Sequence, residues 1–383
     1  MRVTGVDGLR GAATVMIAVG HAWFLGGMAH LDEGGPLPSV IAATWVAVDI
    51  FFVLSAVILL APVAAGEPFG RARDFYRRRV ARLVPLYVAV LLLTMAVSPW
   101  LGSTAPRPPS ADGWGVLTAH LLFVHNAFYA GDQGVVGFGT DTVVWTLGVE
   151  MGFYLVLPLL AGWWVRHPWL GLAAGLGVAQ GWGALVHAVP GHAQQQVLLE
   201  TPSYAGHFAA GMTLAVVLFS PRYRELAEVL RPLAGPMKAL GLSWLLVFMV
   251  EIGGRGLTGQ ARDFEHVLGT LPALPGIVLL VAGAALAPSR LLDGRVARYL
   301  ADTSYAVYLL HLIAITAAVK LGLSGPGENL PFLLLLAGPV AGTFLVASVV
   351  HRHVEVPARR WVNGLRRPSP SLQAAFLTPE VTR

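Results

Sequence analysis

Arg10 and His21 stand eleven residues apart in GLRGAATVMIAVGHAWF, a stretch otherwise almost wholly apolar and long enough to cross a bilayer. At about 100° and 1.5 Å per helical residue, eleven steps leave the two side chains about 20° apart around the axis and roughly 16 Å apart along it. A guanidinium holds anions and an imidazole moves protons near neutrality, and here both lie on one face of one helix. Lipid offers neither a partner, so the spacing points to a polar cavity inside a helix bundle. Further along, FYRRRVARLVPLY sets Arg77, Arg78, Arg79 and Arg82 against a second apolar run. Arg79 and Arg82, at i and i+3, share a helical face and could clamp a phosphate; an anchor for the cytoplasmic end of a span is the other reading.

Other polar groups interrupt apolar runs. Glu150 lies within VWTLGVEMGFYLVLPLL, where a carboxylate must be paired or wet, as a structural acid or as a catalytic partner. Asp49 opens VDIFFVLSAVIL, and Asp7, one turn before Arg10, reads as that arginine's local partner or cap. SYAVYLLHLIAI carries His311 near mid-span with Tyr305 and Tyr308 on neighbouring faces, a packing histidine or a catalytic one. The histidines occupy separate segments without HxxxH or HExxH spacing, so no metal site is expected.

Positioning these groups requires a membrane bundle. Apolar residues make up 55% of the 383-residue chain and charged residues 12%, with a mean hydropathy of +0.65; a soluble domain carries about 25% charge. The expected fold is an all-α polytopic membrane protein of about ten transmembrane helices around a polar cavity, in the plasma membrane. The spans expected are 9–29, 43–65, 84–101, 143–165, 169–189, 203–220, 237–253, 267–287, 301–322 and 331–351. A further apolar segment, 114–130, holds His120, His125 and Asn126. If it crossed, the loops with Arg222, Arg224, Arg231 and Lys238 and with Arg290, Arg295 and Arg298 would lie opposite the Arg71–Arg82 loop, against the positive-inside rule. It is therefore expected to dip in and return on the outer side, roofing the site, with both termini cytoplasmic. Residues 1–361 form one transmembrane domain and 362–383 a short cytoplasmic tail. A pI near 9.7 reflects arginines in short loops and does not imply nucleic-acid binding. With no cysteine, thiolate chemistry and disulfides are excluded. No internal repeat is visible, which weighs against a transporter built from inverted halves.

Taken in order, these segments resemble the acyltransferase-3 family of integral membrane O-acyltransferases. GVDGLRG followed by GHAW is similar to the family's opening arginine and histidine, carried by Arg10 and His21. VDIFFVLSAVIL resembles its FFxLSG segment, RRRVARLVPLY its RxxRIxPxY, and WTLGVEMGFYLVLPLL its WSLxVEEQFYLxxPLL. SYAVYLLH resembles SYxxYLxH, and VEVPARR the closing VExPxRR. The likeness runs from residue 5 to about 360. Two departures stand out: Ala56 replaces the usual glycine, and Met151 with Gly152 replaces the second acid and glutamine. The resemblance implies transfer of an acyl group, often acetyl, from cytosolic acyl-CoA to a hydroxyl of a cell-envelope glycan or glycolipid. Tailoring of a secreted natural product such as a macrolide is the alternative acceptor class, and a non-enzymatic transporter or flippase the alternative function. It further implies that Arg78, Arg79 and Arg82 meet the CoA phosphates. His21 is then the base that takes the hydroxyl proton, helped by Arg10 and by Glu150 as the imidazolium's carboxylate. Asp49, Asn126, Tyr305, Tyr308 and His311 are expected to line the cavity. Direct transfer and an acyl-imidazole intermediate both remain open.

Overall fold

A computed structural model describes residues 3, 5–31, 35–102, 108–128, 142–188, 201–257, 271–287 and 289–364. The 190–200 loop and all but the first residues of the expected tail fall outside them. Among the described residues every regular element is helical. Nine helices are long and apolar enough to cross a bilayer, and a tenth apolar helix is shorter. They are α1 (Val6–Leu25), α2 (Val46–Ala64), α3 (Ala72–Leu101), α4 (Trp145–Arg166), α5 (Pro168–His187), α6 (Ala205–Phe219), α7 (Ala234–Leu257), α8 (Leu274–Leu286), α9 (Arg295–Lys320) and α10 (Asn329–Ala358). Each expected span has its helix. The short one, α8, is extended by a 3₁₀ turn at Leu271–Ala273, giving about 26 Å in all.

The described part of segment 114–130, which ends at residue 128, is two helical pieces, Ala111–Leu121 and His125–Phe128. The longer would span about 16 Å, half of a hydrocarbon core of about 30 Å. The chain turns between them at Phe123, whose φ is 59°. That turn is held by a stack of Phe123 on Tyr87 of α3, centroids 4.8 Å apart.

Helix direction shows that the segment does not cross. Along α2 and α6, Asp49 meets His207, Phe52 meets Phe208 and Ala56 meets Gly211. Numbers rise together, so the helices are parallel, and an odd number of crossings must separate them. The helices α3, α4 and α5 supply three. The same holds for α1 and α9, where Arg10 meets Ser304 and His21 meets His311 with seven helices between. By contrast α5 runs antiparallel to α6, as Thr213 bonding Pro168 and Gly175 facing Ala209 require. Consequently the arginine-bearing loops after α2, α6 and α8 share one side.

Small residues permit the close approaches. A Cβ on Gly11 of α1 would sit 2.6 Å from Leu300 Cβ of α9. On α6, a Cβ on Gly211 would sit 2.7 Å from Ala56 Cβ. The methyl group that Ala56 adds where the family has glycine thus fills the hollow left by Gly211, and Ala56 is fully buried. Most of the core lies along α1, α2, α4, α6 and α9, while α5, α7 and α10 present exposed leucines, valines and tryptophans, as lipid-facing helices do.

Candidate functional site

A cavity opens between α1, α2, α4 and α9. Its polar lining is Arg10, Ser55, Thr146, Glu150, Ser304, Tyr305 and Tyr308, and Phe51 and Phe52 form part of the apolar wall. At one end Arg10 donates through Nη2 to Ser304 Oγ at 3.4 Å. Glu150 accepts from Ser55 Oγ at 3.2 Å and from the Tyr154 hydroxyl. Arg79 of α3 lies over the rings of Phe75 and Tyr154, 5.6 and 5.8 Å from their centroids, and its buried Nε has no hydrogen-bond partner among the described residues. Arg10 and Arg79 are each in electrostatic reach of Arg82 and Glu150. The ion pairs within 4.0 Å among the described residues form elsewhere, such as His207 with Asp49 and Arg224 with Glu228. Three guanidiniums are therefore set against two carboxylates, Glu150, which is held by hydroxyls, and Asp7, which is in electrostatic reach of Arg10. The cluster carries net positive charge in a low-dielectric setting, which is the electrostatic signature of an anion site.

Beside this cluster Tyr305 donates to the Leu83 carbonyl at 2.8 Å, tying α9 to α3, and α9 continues from there toward the other end. The Tyr308 hydroxyl lies 2.8 Å from Thr146 Oγ1 and donates to the Val143 carbonyl at 3.0 Å. One turn along α9, the His311 ring is 6.1 Å from that of Tyr308. His21 Nδ1 meets His311 Nε2 at 3.0 Å. Because α1 and α9 are parallel and in close contact, Arg10 and His21 meet Ser304 and His311 in the same order.

Not every expected residue gathers here: Tyr305 and Tyr308 line the cavity, but His311, expected there too, lies outside its lining with His21. Arg78 is exposed. Asp49 is buried behind the wall, its carboxylate 3.7 Å from His207 Nε2, and does not line the cavity. Asn126 donates to the Trp145 carbonyl at 2.9 Å, pinning the non-crossing segment to the start of α4. Glu150 belongs with the arginines, and the group bonded to the ring of His21 is a neutral-capable imidazole instead of a carboxylate. The reason is register: α4 brings Glu150 level with Ser55 and Arg10, one end of the cavity, whereas His21 lies eleven residues further along α1. Sequence reasoning passed over Ser55, Tyr154 and Ser304, although all three lie inside motifs it quoted. His207 carried no signal, being one histidine in an apolar helix. Gly152 stands against Thr201, whose side chain occupies the space a larger residue would need.

A helical bundle with a cavity lined by Arg10 and Glu150 and an imidazole pair where two helices meet defines a multi-pass membrane protein with a polar intramembrane site. The chain belongs to the acyltransferase-3 family, whose acyltransferase domain matches residues 3–351; it is a multi-pass plasma-membrane enzyme that transfers acyl groups. Peptidoglycan O-acetyltransferase OatA of Listeria monocytogenes is 26% identical over 378 residues, covering 94% of this chain and 56% of the relative. The chain therefore spans little more than half the length of that protein. Acyltransferase MdmB of Streptomyces mycarofaciens is 26% identical over 400 residues, covering 96% of this chain and 94% of the relative. Nodulation protein 10 of Rhizobium leguminosarum bv. viciae is 23% identical over 375 residues, 92% of each. No solved structure matches the chain.

Proposed function

We propose that this enzyme moves an acetyl group from cytosolic acetyl-CoA to a hydroxyl of a cell-envelope glycan or glycolipid on the far side of the membrane. The observation that carries the reading is the two-ended site: an excess of guanidinium from α1 and α3 at one end of a cavity and an imidazole pair from α1 and α9 beyond the other. The arginine-rich loops share one side, which the positive-inside rule makes cytoplasmic. That is the side from which a CoA ester arrives, and Arg79 and Arg82 would hold its phosphates by planar forks while Glu150 limits the repulsion among the cations. The acyl-bearing arm reaches along the cavity past Tyr305 and Tyr308 toward His21.

In the transfer, His21 takes the proton of the acceptor hydroxyl as its oxygen attacks the thioester carbonyl carbon. The C–O bond forms, the C–S bond breaks, and the CoA thiolate leaves with the proton returned from the imidazolium. Arg10 is placed to offset negative charge on the acyl donor. The relative named a peptidoglycan O-acetyltransferase supports a glycan acceptor.

The absence of cysteine from the sequence makes the decisive assay simple, since a thiol-reactive dye then reads only released CoA. Purified protein given acetyl-CoA should release CoA when muropeptides are added, with a gain of 42 mass units on the glycan, the mass calculated for acetylation. Acetyl-CoA left intact with muropeptides, glycolipid extracts and small hydroxylated natural products alike would reject the transferase reading of the site. Acetylation confined to the small molecules would move the acceptor class and keep the chemistry.

A further inference from the structure

We infer that His311 is a positioning residue that keeps the proton of neutral His21 on Nδ1 and so presents Nε2 of His21 as the base. The inference rests on the reading of His21 as the base and adds what holds that base in its working form. His311 Nδ1 lies 3.0 Å from the Val307 carbonyl and 2.8 Å from the Tyr308 carbonyl. A carbonyl oxygen only accepts, so the hydrogen of neutral His311 is on Nδ1 and its Nε2 carries a lone pair. That lone pair faces His21 Nδ1 at 3.0 Å. Two lone pairs cannot face each other at hydrogen-bond distance, so His21 Nδ1 is the donor. In a neutral ring the other nitrogen, Nε2, must then be the acceptor.

The chain of donors thus runs from His21 Nδ1 to His311 Nε2 and from His311 Nδ1 to the backbone of α9, with the Ile17 carbonyl one turn back on α1 as a further acceptor beside the His21 ring. Its end point is fixed, because helix carbonyls one turn back cannot reorient. His311 is 1% exposed, so no water exchange at its ring competes with this arrangement. When His21 Nε2 gains the hydroxyl proton, its Nδ1–H still donates to His311, and no proton need move between the two rings. The service is the one a buried carboxylate performs in a hydrolytic triad, where losing the tautomer costs about 10⁴-fold in turnover. Here a neutral ring performs it, without placing a second charge beside the imidazole in the bundle. The distance itself depends on α1 lying against α9 at Gly11.

The test compares His311→Phe, which fills the space but cannot accept, with His311→Gln, whose amide oxygen can stand in for Nε2. Acetyl-CoA and muropeptides are the substrates. His311→Phe should keep the acetyl-CoA KM within about twofold and lose about 10²-fold or more in kcat, and His311→Gln should regain at least tenfold of that loss. A His311→Phe protein with kcat within threefold of the parent, while His21→Ala is inactive, overturns this inference and leaves the base assignment intact. Activity in His21→Ala overturns both. A second measurement needs neither turnover nor a variant that folds at position 311. The ¹⁵N spectrum of histidine-labelled parent protein in bilayers, with the His21 signals assigned by their absence from His21→Ala, should show a protonated Nδ1 and an unprotonated Nε2. The reverse pattern overturns the inference.

Discussion

The charged residues of this bundle are individually expensive. An arginine or an acid at the centre of a span costs about 2.5–3.5 kcal/mol on insertion scales and less toward its ends, and Arg10, Arg79 and Glu150 lie toward the ends of their helices. Arg79 stacks on Phe75 and Tyr154 and is in reach of Glu150, yet its buried Nε has no hydrogen-bond partner among the described residues, which suits the proposed contact with a donor phosphate. Replacing Arg79 and Arg82 together with Gln should therefore raise the acetyl-CoA KM at least tenfold, while the melting temperature of the ligand-free protein stays level or rises. An unchanged KM in the folded double variant would remove them from the donor site. His21 differs in kind. Loss of a general base costs about 10²- to 10⁴-fold in rate, so His21→Ala should bind acetyl-CoA normally and transfer almost nothing, as isothermal titration and CoA release would report together.

At the scale of the helix, the site depends on how closely pairs of helices approach. The Ala56 methyl group and the Gly211 hollow form one such contact, with α2 carrying Ser55 to Glu150 beside it. Gly211→Ala would drive a new Cβ onto Ala56 Cβ and the Val53 carbonyl. Overpacking of this kind typically costs about 1–3 kcal/mol. Adding Ala56→Gly should restore part of the loss, because the carbonyl clash remains. Thermal unfolding of the two singles and the double would read the coupling; purely additive effects would mean the two residues do not share the contact. Looser winding also marks α10, with π-helical turns at Leu336–Val340 and His351–Glu355, and the second buries Glu355 beside His351.

For the whole molecule, the parallel pairing of α2 with α6 and of α1 with α9 makes the number of crossings a matter of geometry. Three crossings separate residue 112 from residue 225, so the two must lie on opposite sides of the membrane. In this cysteine-free chain, Asp112→Cys should react with an impermeant thiol reagent on intact cells and Glu225→Cys only after permeabilisation. Labelling of both from one side would mean that the segment after Asp112 crosses as well.

Much of this was legible in the chain alone. Every span is visible as an apolar run because lipid tolerates no other sequence there, and the positive-inside rule set aside 114–130 from loop charges alone. The shared face of Arg10 and His21 follows from helical periodicity, a local property. What periodicity cannot carry is the partner across the gap, since a helix specifies its own faces and not the register of its neighbour. Only the packing of α1 on α9 brought His311 to His21, and only α4 meeting α2 sent Glu150 to the arginines and away from the imidazole. The same cause moved Asp49 out of the cavity: its position near the start of α2 was evident, but the histidine it faces lies 158 residues away on α6, and no local pattern encodes a contact of that separation.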